Sequence, residues 1–231
     1  MKIPDPLVAG TLRIVWLPRG DRLGQRLEWV SHDENGEHAM PLWESIDQVP
    51  DANAGEDWPA SPPLTDWHLE ERGSERVIMA VGRAGRSHWS VAITATAALS
   101  QHHEAVSGLP AATDAPRTFT PGGGPPHSLR MPGPGETPAP TPQPPRLQFD
   151  IACRAAEAPT RIGSRYRILA PCHVIDDAHI ELAPGVILSV DRETSRLELD
   201  ESSATVLIEP ASPQLRAWPQ TVRWRYEFSG G

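Results

Sequence analysis

The stretch PCHVIDDAHIEL (171–182) gathers Cys172, His173, Asp176, Asp177 and His179, all side chains that ligate transition metals. Thiolate, imidazole and carboxylate donors in one segment suit a zinc ion. A metal-dependent enzyme built on Cys172, His173, Asp176 and His179 is therefore one reading of the segment. The other is a polar turn between two strands, because the paired CxxC or HxxxH spacing is missing and Val174, Ile175 and Ile180 are apolar. A second imidazole pair, His32 and His38, flanks Asn35-Gly36, where a hairpin is expected to set the two rings opposite each other. It lacks a third ligand, and two donors seldom hold a metal tightly. His102-His103-Glu104 is a weaker cluster still.

For acid-base or nucleophilic chemistry the chain offers less. Asp176-Asp177 and Glu70-Glu71 are adjacent pairs, which point to opposite faces of a strand and cannot cooperate. There is no GxSxG elbow, and the glycines of PGGGPP (121–126) sit in proline-rich coil without the strand and helix of a phosphate loop. No catalytic residue is assigned on this reading, and no cofactor is implied.

Aromatic residues are the remaining candidates. The chain has 8 tryptophans against 2 tyrosines and 3 phenylalanines. Trp16, Trp29, Trp89 and Trp224 follow strand periodicity and are expected in a core. Trp43, Trp58, Trp67 and Trp218 fall at an edge, in proline-rich loops or at a strand's start. Exposed indoles can stack on sugars or anchor a peptide, so Trp43, Trp58 and Trp67 are the expected ligand or partner contacts. The competing reading makes them plugs at the ends of a β fold.

GRAGRSHWSVAI (82–93) reads as a turn feeding a strand. Gly82 and Gly85 permit the turn, Arg83 and Arg86 solvate it, and Trp89, Val91, Ile93 and Ala95 face inward with His88 and Ser90 on the other side. WPASPPL (58–64) followed by GRAGRSHWS (82–90) resembles stretches of bacterial proteins without assigned function. That resemblance covers the later amino-terminal half only and implies no activity.

The elements that must carry these residues are short alternating strands. Leu147, Phe149, Ile151 and Cys153 alternate with polar residues, as do Val222, Trp224, Tyr226 and Phe228. YRIL (166–169), HIEL (179–182), VILSV (186–190), RLELD (196–200) and TVLIE (205–209) lie between. TLRIVWL (11–17), RLEWVS (26–31), MPLWES (40–45), WHLEE (67–71), RVIMAV (76–81) and WSVAITA (89–95) do the same earlier. Pro41 assigns its strand to a sheet edge. Residues 96–106 are read as a helical turn.

Of the 26 prolines, 12 fall within 107–146, as do 6 of the 18 glycines. The pattern predicts an all-β chain of two tandem Ig-like β-sandwich domains, residues 7–97 and 147–229, joined by a flexible proline-rich linker over 107–146. DRLGQRLEWV (21–30) matches TRIGSRYRIL (160–169) at Arg22, Gly24 and Arg26. HWSVAI (88–93) parallels RWRYEF (223–228), which supports diverged copies of one domain.

Net charge is −9, and neither half is basic, which argues against a nucleic-acid partner. One lysine against twenty arginines reads as the coding bias of a GC-rich bacterial genome. No apolar run is long enough for a membrane span, and the prolines near Met1 break any signal peptide, so a soluble cytoplasmic protein with reduced cysteines is expected. The function expected is a non-catalytic interaction or structural protein that meets a protein partner through strand edges or loop 46–66, with oligomeric state open. A carbohydrate or small-ligand module and the metal enzyme above are the alternatives.

Overall fold

Residues that alternate apolar and polar bury one side of an extended chain, and here nearly every such run forms a strand. The computed structural model describes residues 2–47, 59–97, 144–159, 161–183, 185–211 and 217–230. Trp58, His102-His103-Glu104, the helical turn beyond residue 97, loop residues 48–58 and the linker up to residue 143 lie outside the described residues.

The strands are β1 (Leu7–Ala9), β2 (Leu12–Arg19), β3 (Arg22–Asp33), β4 (Gly36–Ser45), β5 (Asp66–Arg72), β6 (Glu75–Ala84), β7 (Ser87–Thr96), β8 (Arg146–Ala155), β9 (Ser164–Ile168), β10 (His173–Val174), β11 (His179–Ala183), β12 (Val186–Val190), β13 (Ser195–Asp200), β14 (Thr205–Pro210) and β15 (Gln220–Gly230). They build a seven-stranded sheet, β1-β2-β3-β4-β9-β14-β13, and an eight-stranded sheet, β10-β11-β12-β15-β8-β7-β6-β5. Every neighbouring pair is antiparallel, and the described residues contain no helix. The fold is all-β.

The two halves do not form separate sandwiches. β4 pairs with β9 in one sheet, and β7 pairs with β8 over nine residue pairs in the other, so both sheets draw strands from both halves. All the described residues belong to one compact unit. The physical reason is edge closure: separate halves would leave β4, β7, β8 and β9 with unpaired backbone, and joining them satisfies all four. The halves also follow different routes, since the first completes four strands of one sheet before entering the other, while the second switches sheets repeatedly.

Pro41 illustrates a related correction. β4 is an interior strand, but β9 lies beside only Trp43–Ser45, so Pro41 sits where β4 has β3 alone for a neighbour. Its missing N–H therefore bears on pairing with β3 alone, at the position opposite Glu28. Register also shifts at this point, from Leu27↔Trp43 to Glu28↔Pro41, leaving Leu42 as an extra residue. That bulge turns both Leu42 and Trp43 into the core.

The inward faces share one apolar cluster that includes Leu12, Ile14, Trp43 and Tyr166 from the smaller sheet and Trp89, Phe149, Trp224 and Phe228 from the larger. One end is covered by Ala60–Leu64, a buried run between β4 and β5. Leu23 N donates to Leu64 O at 2.8 Å, Arg165 N to Ala60 O at 2.9 Å, and Thr65 N to Val81 O at 2.9 Å, so this run ties both sheets together. Residues 60–64 of the loop expected to meet a partner are therefore part of the interior.

Pro63 crosses β6 at Gly82 so closely that a Cβ there would sit 1.5 Å from the Pro63 carbonyl oxygen. Gly82→Ala should cost about 3 kcal/mol or more, the upper range for overpacking against backbone, read as a lower midpoint in urea unfolding. Cutting the chain at an engineered protease site within 107–142 should leave the two fragments co-eluting in gel filtration, because their strands share both sheets. Two independently folded fragments would contradict the shared sheets.

Candidate binding surfaces

The segment 171–182 contributes the end of the larger sheet. His173 pairs with Glu181 and Val174 with Ile180 across β10 and β11, while among the described residues the opposite side of β10 has no strand beside it. Asp176 closes the turn: its carboxylate accepts from Ala178 N at 2.8 Å and contacts His179 Nδ1 at 2.7 Å. These contacts, with Arg192 nearby, hold the Asp176 carboxyl below its usual range. Asp177 forms an ion pair with Arg192. Among the described residues no three His, Cys, Asp or Glu side chains converge to hold a metal ion. The structure thus brings Asp176 and His179 together as a turn lock, with Cys172 and His173 earlier in the chain, on the approach to β10 and on it.

His32 and His38 are also offset. His32 lies opposite Glu37 and His38 opposite Ser31, so successive positions send the two rings to opposite sides of the hairpin. Each imidazole meets a carboxylate, His32 with Glu37 at 3.7 Å and His38 with Asp33 at 3.1 Å.

The tryptophans divide in an unexpected way. Trp43, an expected ligand contact, is 1% exposed and stacks on Tyr166 with ring centroids 3.7 Å apart. The bulge at Leu42 is the cause, since unbroken alternation would have put Trp43 outside. Trp67 is partly buried at the outer strand β5, where its indole N–H donates to Lys2 O at 3.0 Å and the Lys2 ammonium lies over the ring. Both its face and its polar edge are thereby engaged by the amino-terminal segment.

Two clefts of about 590 Å³ open on the surface. One lies where Arg19, Arg22 and Arg167 face Glu44 and Asp47. Its charges are largely spent internally: Glu44 takes Arg26 at 2.9 Å and also binds Arg19, and burial pushes the Asp47 carboxyl up.

The other is lined by Leu169, Pro171, Cys172 and Val174 on one side and Leu199 and Glu201 on the other. It lies where the chain crosses from β9 to β10, beside the turn that follows β13. β10 ends the larger sheet and β13 the smaller one. Leu169 and Val174 of its lining and the adjacent Ile175 are 41%, 44% and 51% exposed. The rim turn is rigidly tied, with Ser202 and Ser203 hydroxyls on the Asp200 carboxylate holding it down to about 2. Val174-Ile175, two apolar residues inside a polar segment, was the signal for this surface in the sequence. The segment reads as a turn between two strands because β10 is too short to show alternation.

Comparison with family models, with curated proteins and with solved structures returns no match. No helix of the described residues is long and apolar enough to cross a membrane.

The two thiols differ sharply. Cys153 is buried in β8 and burial pushes its thiol up to about 12, whereas Cys172 is exposed at the cleft, its pKa raised by partial desolvation and by Glu201. The thiolate is the reactive form, so a raised pKa means slower reaction at a given pH. Native protein at pH 8 should lose a single thiol to an aromatic disulfide reagent, more slowly than free cysteine does, with the rate still climbing above the usual thiol range. Cys153 should react only after denaturation.

Proposed function

We propose that the protein is a non-catalytic interaction protein that receives an extended segment of a partner protein at the open side of the fold, beside β10 and β13. The observation that carries this reading is the coincidence of exposed apolar side chains with two strands that have an unpaired side. Backbone N–H and C=O groups of an end strand supply affinity to an added strand, and pockets for alternate side chains supply selectivity. Leu169, Val174 and Ile175 would receive those side chains, with Leu199 across the cleft. Residues 60–64 of loop 46–66 are buried, so strand edges rather than that run support the contact. Soluble cytoplasmic location belongs to this proposal as its setting.

Display selection of short random peptides against the folded chain tests it. Peptides with apolar residues at alternate positions should be enriched, and they should bind Ile175→Asp at least tenfold more weakly, with the melting temperature unchanged because Ile175 is half exposed. Selected peptides that bind Ile175→Asp and the wild-type chain equally would overturn the reading.

A further inference from the structure

The outward face of the larger sheet carries a charge arrangement that folding does not explain. Arg83 on β6 lies directly opposite His88 on β7, which lies directly opposite Arg154 on β8. Arg223 on β15 is one row away, opposite Ala152. All four are exposed. Among the described residues none of these side chains forms an ion pair, whereas elsewhere Arg13 pairs with Glu28 on the adjacent strand, Arg26 with Glu44, and Arg225 with Asp150.

The contrast within this same face is sharp. The row Met79, Ala92, Asp150, Arg225 neutralises itself through the 2.8 Å pair of Asp150 and Arg225. The row Arg83, His88, Arg154 sets two guanidinium groups and an imidazole across three strands with no carboxylate among them. Two guanidinium groups about two strands apart with no carboxylate in their row gain nothing from cross-strand pairing, so among the described residues no anion in that row offsets them.

We propose that this face binds an acidic segment of a partner protein. Neighbouring strands stand about 4.8 Å apart, so Arg83 and Arg154 are separated by about 10 Å at the backbone, within reach of two or three carboxylates of one short segment. Between the arginines the floor is low, with Ser90 and Ala152 in the adjoining row. Beside them Val81 and Met79 are 50% and 36% exposed, forming an apolar strip along β6. A segment that mixes acidic and apolar residues matches both features. A bare polyanion would match the cations alone, and the −9 net charge of the chain repels a long one. The proposal stands apart from the cleft beside β10, since it uses β6, β7, β8 and β15.

Fluorescence anisotropy with a labelled peptide of alternating glutamate and valine tests it, alongside the glutamine-valine analogue and a single-stranded thymidine oligonucleotide. The acidic peptide should bind at low ionic strength and weaken as salt is raised, and the glutamine analogue should not bind. Arg83→Glu with Arg154→Glu should weaken binding at least tenfold. Arg154→Gln should weaken it severalfold while keeping or raising the melting temperature, which separates loss of binding from loss of fold. Ile175→Asp should leave this affinity unchanged. No binding by the acidic peptide, equal binding after charge reversal, tighter binding of the oligonucleotide, or loss of binding in Ile175→Asp would each overturn the proposal. Self-association of the wild-type chain that charge reversal abolishes would identify a second copy as the occupant and overturn it too.

Discussion

Tyr166 and Tyr226 face each other from opposite sheets, and their hydroxyls are hydrogen-bonded in a fully buried site. Gln25 Nε2 donates to Tyr166 Oη at 2.8 Å, and Trp224 Nε1 donates to Ser164 Oγ at 3.0 Å close by. Leaving such a group without its partner in the interior costs about 1–3 kcal/mol, so the two sheets have one relative placement at which this network closes. Burial pushes the Tyr166 hydroxyl up to about 12 and the Tyr226 hydroxyl well above its ordinary value, which favours the protonated form of both. Around them Trp43 stacks on Tyr166 and meets Phe228 edge-on at 4.2 Å, and Phe149 stacks on Tyr226 at 4.6 Å. Each such aromatic pair adds about 0.5–1.5 kcal/mol beyond its buried area. Gln25 and Trp43 come from the first half of the chain, Tyr166 and Tyr226 from the second, so the network binds the halves as well as the sheets.

Alternation made the strands legible because burial of one face repeats every second residue whatever lies alongside. Val222, Trp224, Tyr226 and Phe228 point inward as their spacing requires, and so do Trp89, Val91, Ile93 and Ala95. Lateral neighbours left no such mark. Nothing in WSVAITA distinguishes a final strand from one that will pair with β8, and the reading as two sandwiches followed from that gap. β1 and β10, at three and two residues, are too short to show a period. Trp43 was displaced by one inserted position at Leu42, a local change that reverses the face of everything after it.

The matched segments of the two halves gain a structural meaning of a different kind. β3 and the β9 region both flank β4, and β7 and β15 both flank β8. Trp89 and Trp224 accordingly meet edge-on across β8, with centroids 5.7 Å apart. Gln25 and Ser164, which follow the matched glycines Gly24 and Gly163, both serve the buried polar network. Similar residues thus occupy similar stations beside the two inner strands, although the routes between them differ.

The core also decides where recognition can occur. Most aromatic rings, Cys153 and the buried serines Ser164 and Ser195 are committed to packing or to internal hydrogen bonds, Ser195 Oγ donating to Arg225 O at 2.7 Å. The plug at Ala60–Leu64 closes one end, and near it Arg19 and Arg26 share the Glu44 carboxylate, with Asp47 also beside Arg19. Two of the surfaces left among the described residues are the apolar side chains beside the terminal strands and the arginines on an outward sheet face. Each departs from what stability alone would select, one by exposing hydrocarbon to water and the other by leaving guanidinium groups without a carboxylate in their row. Both surfaces lie on sheets that share one apolar core, so the core that fixes the sheets also fixes the distance between them.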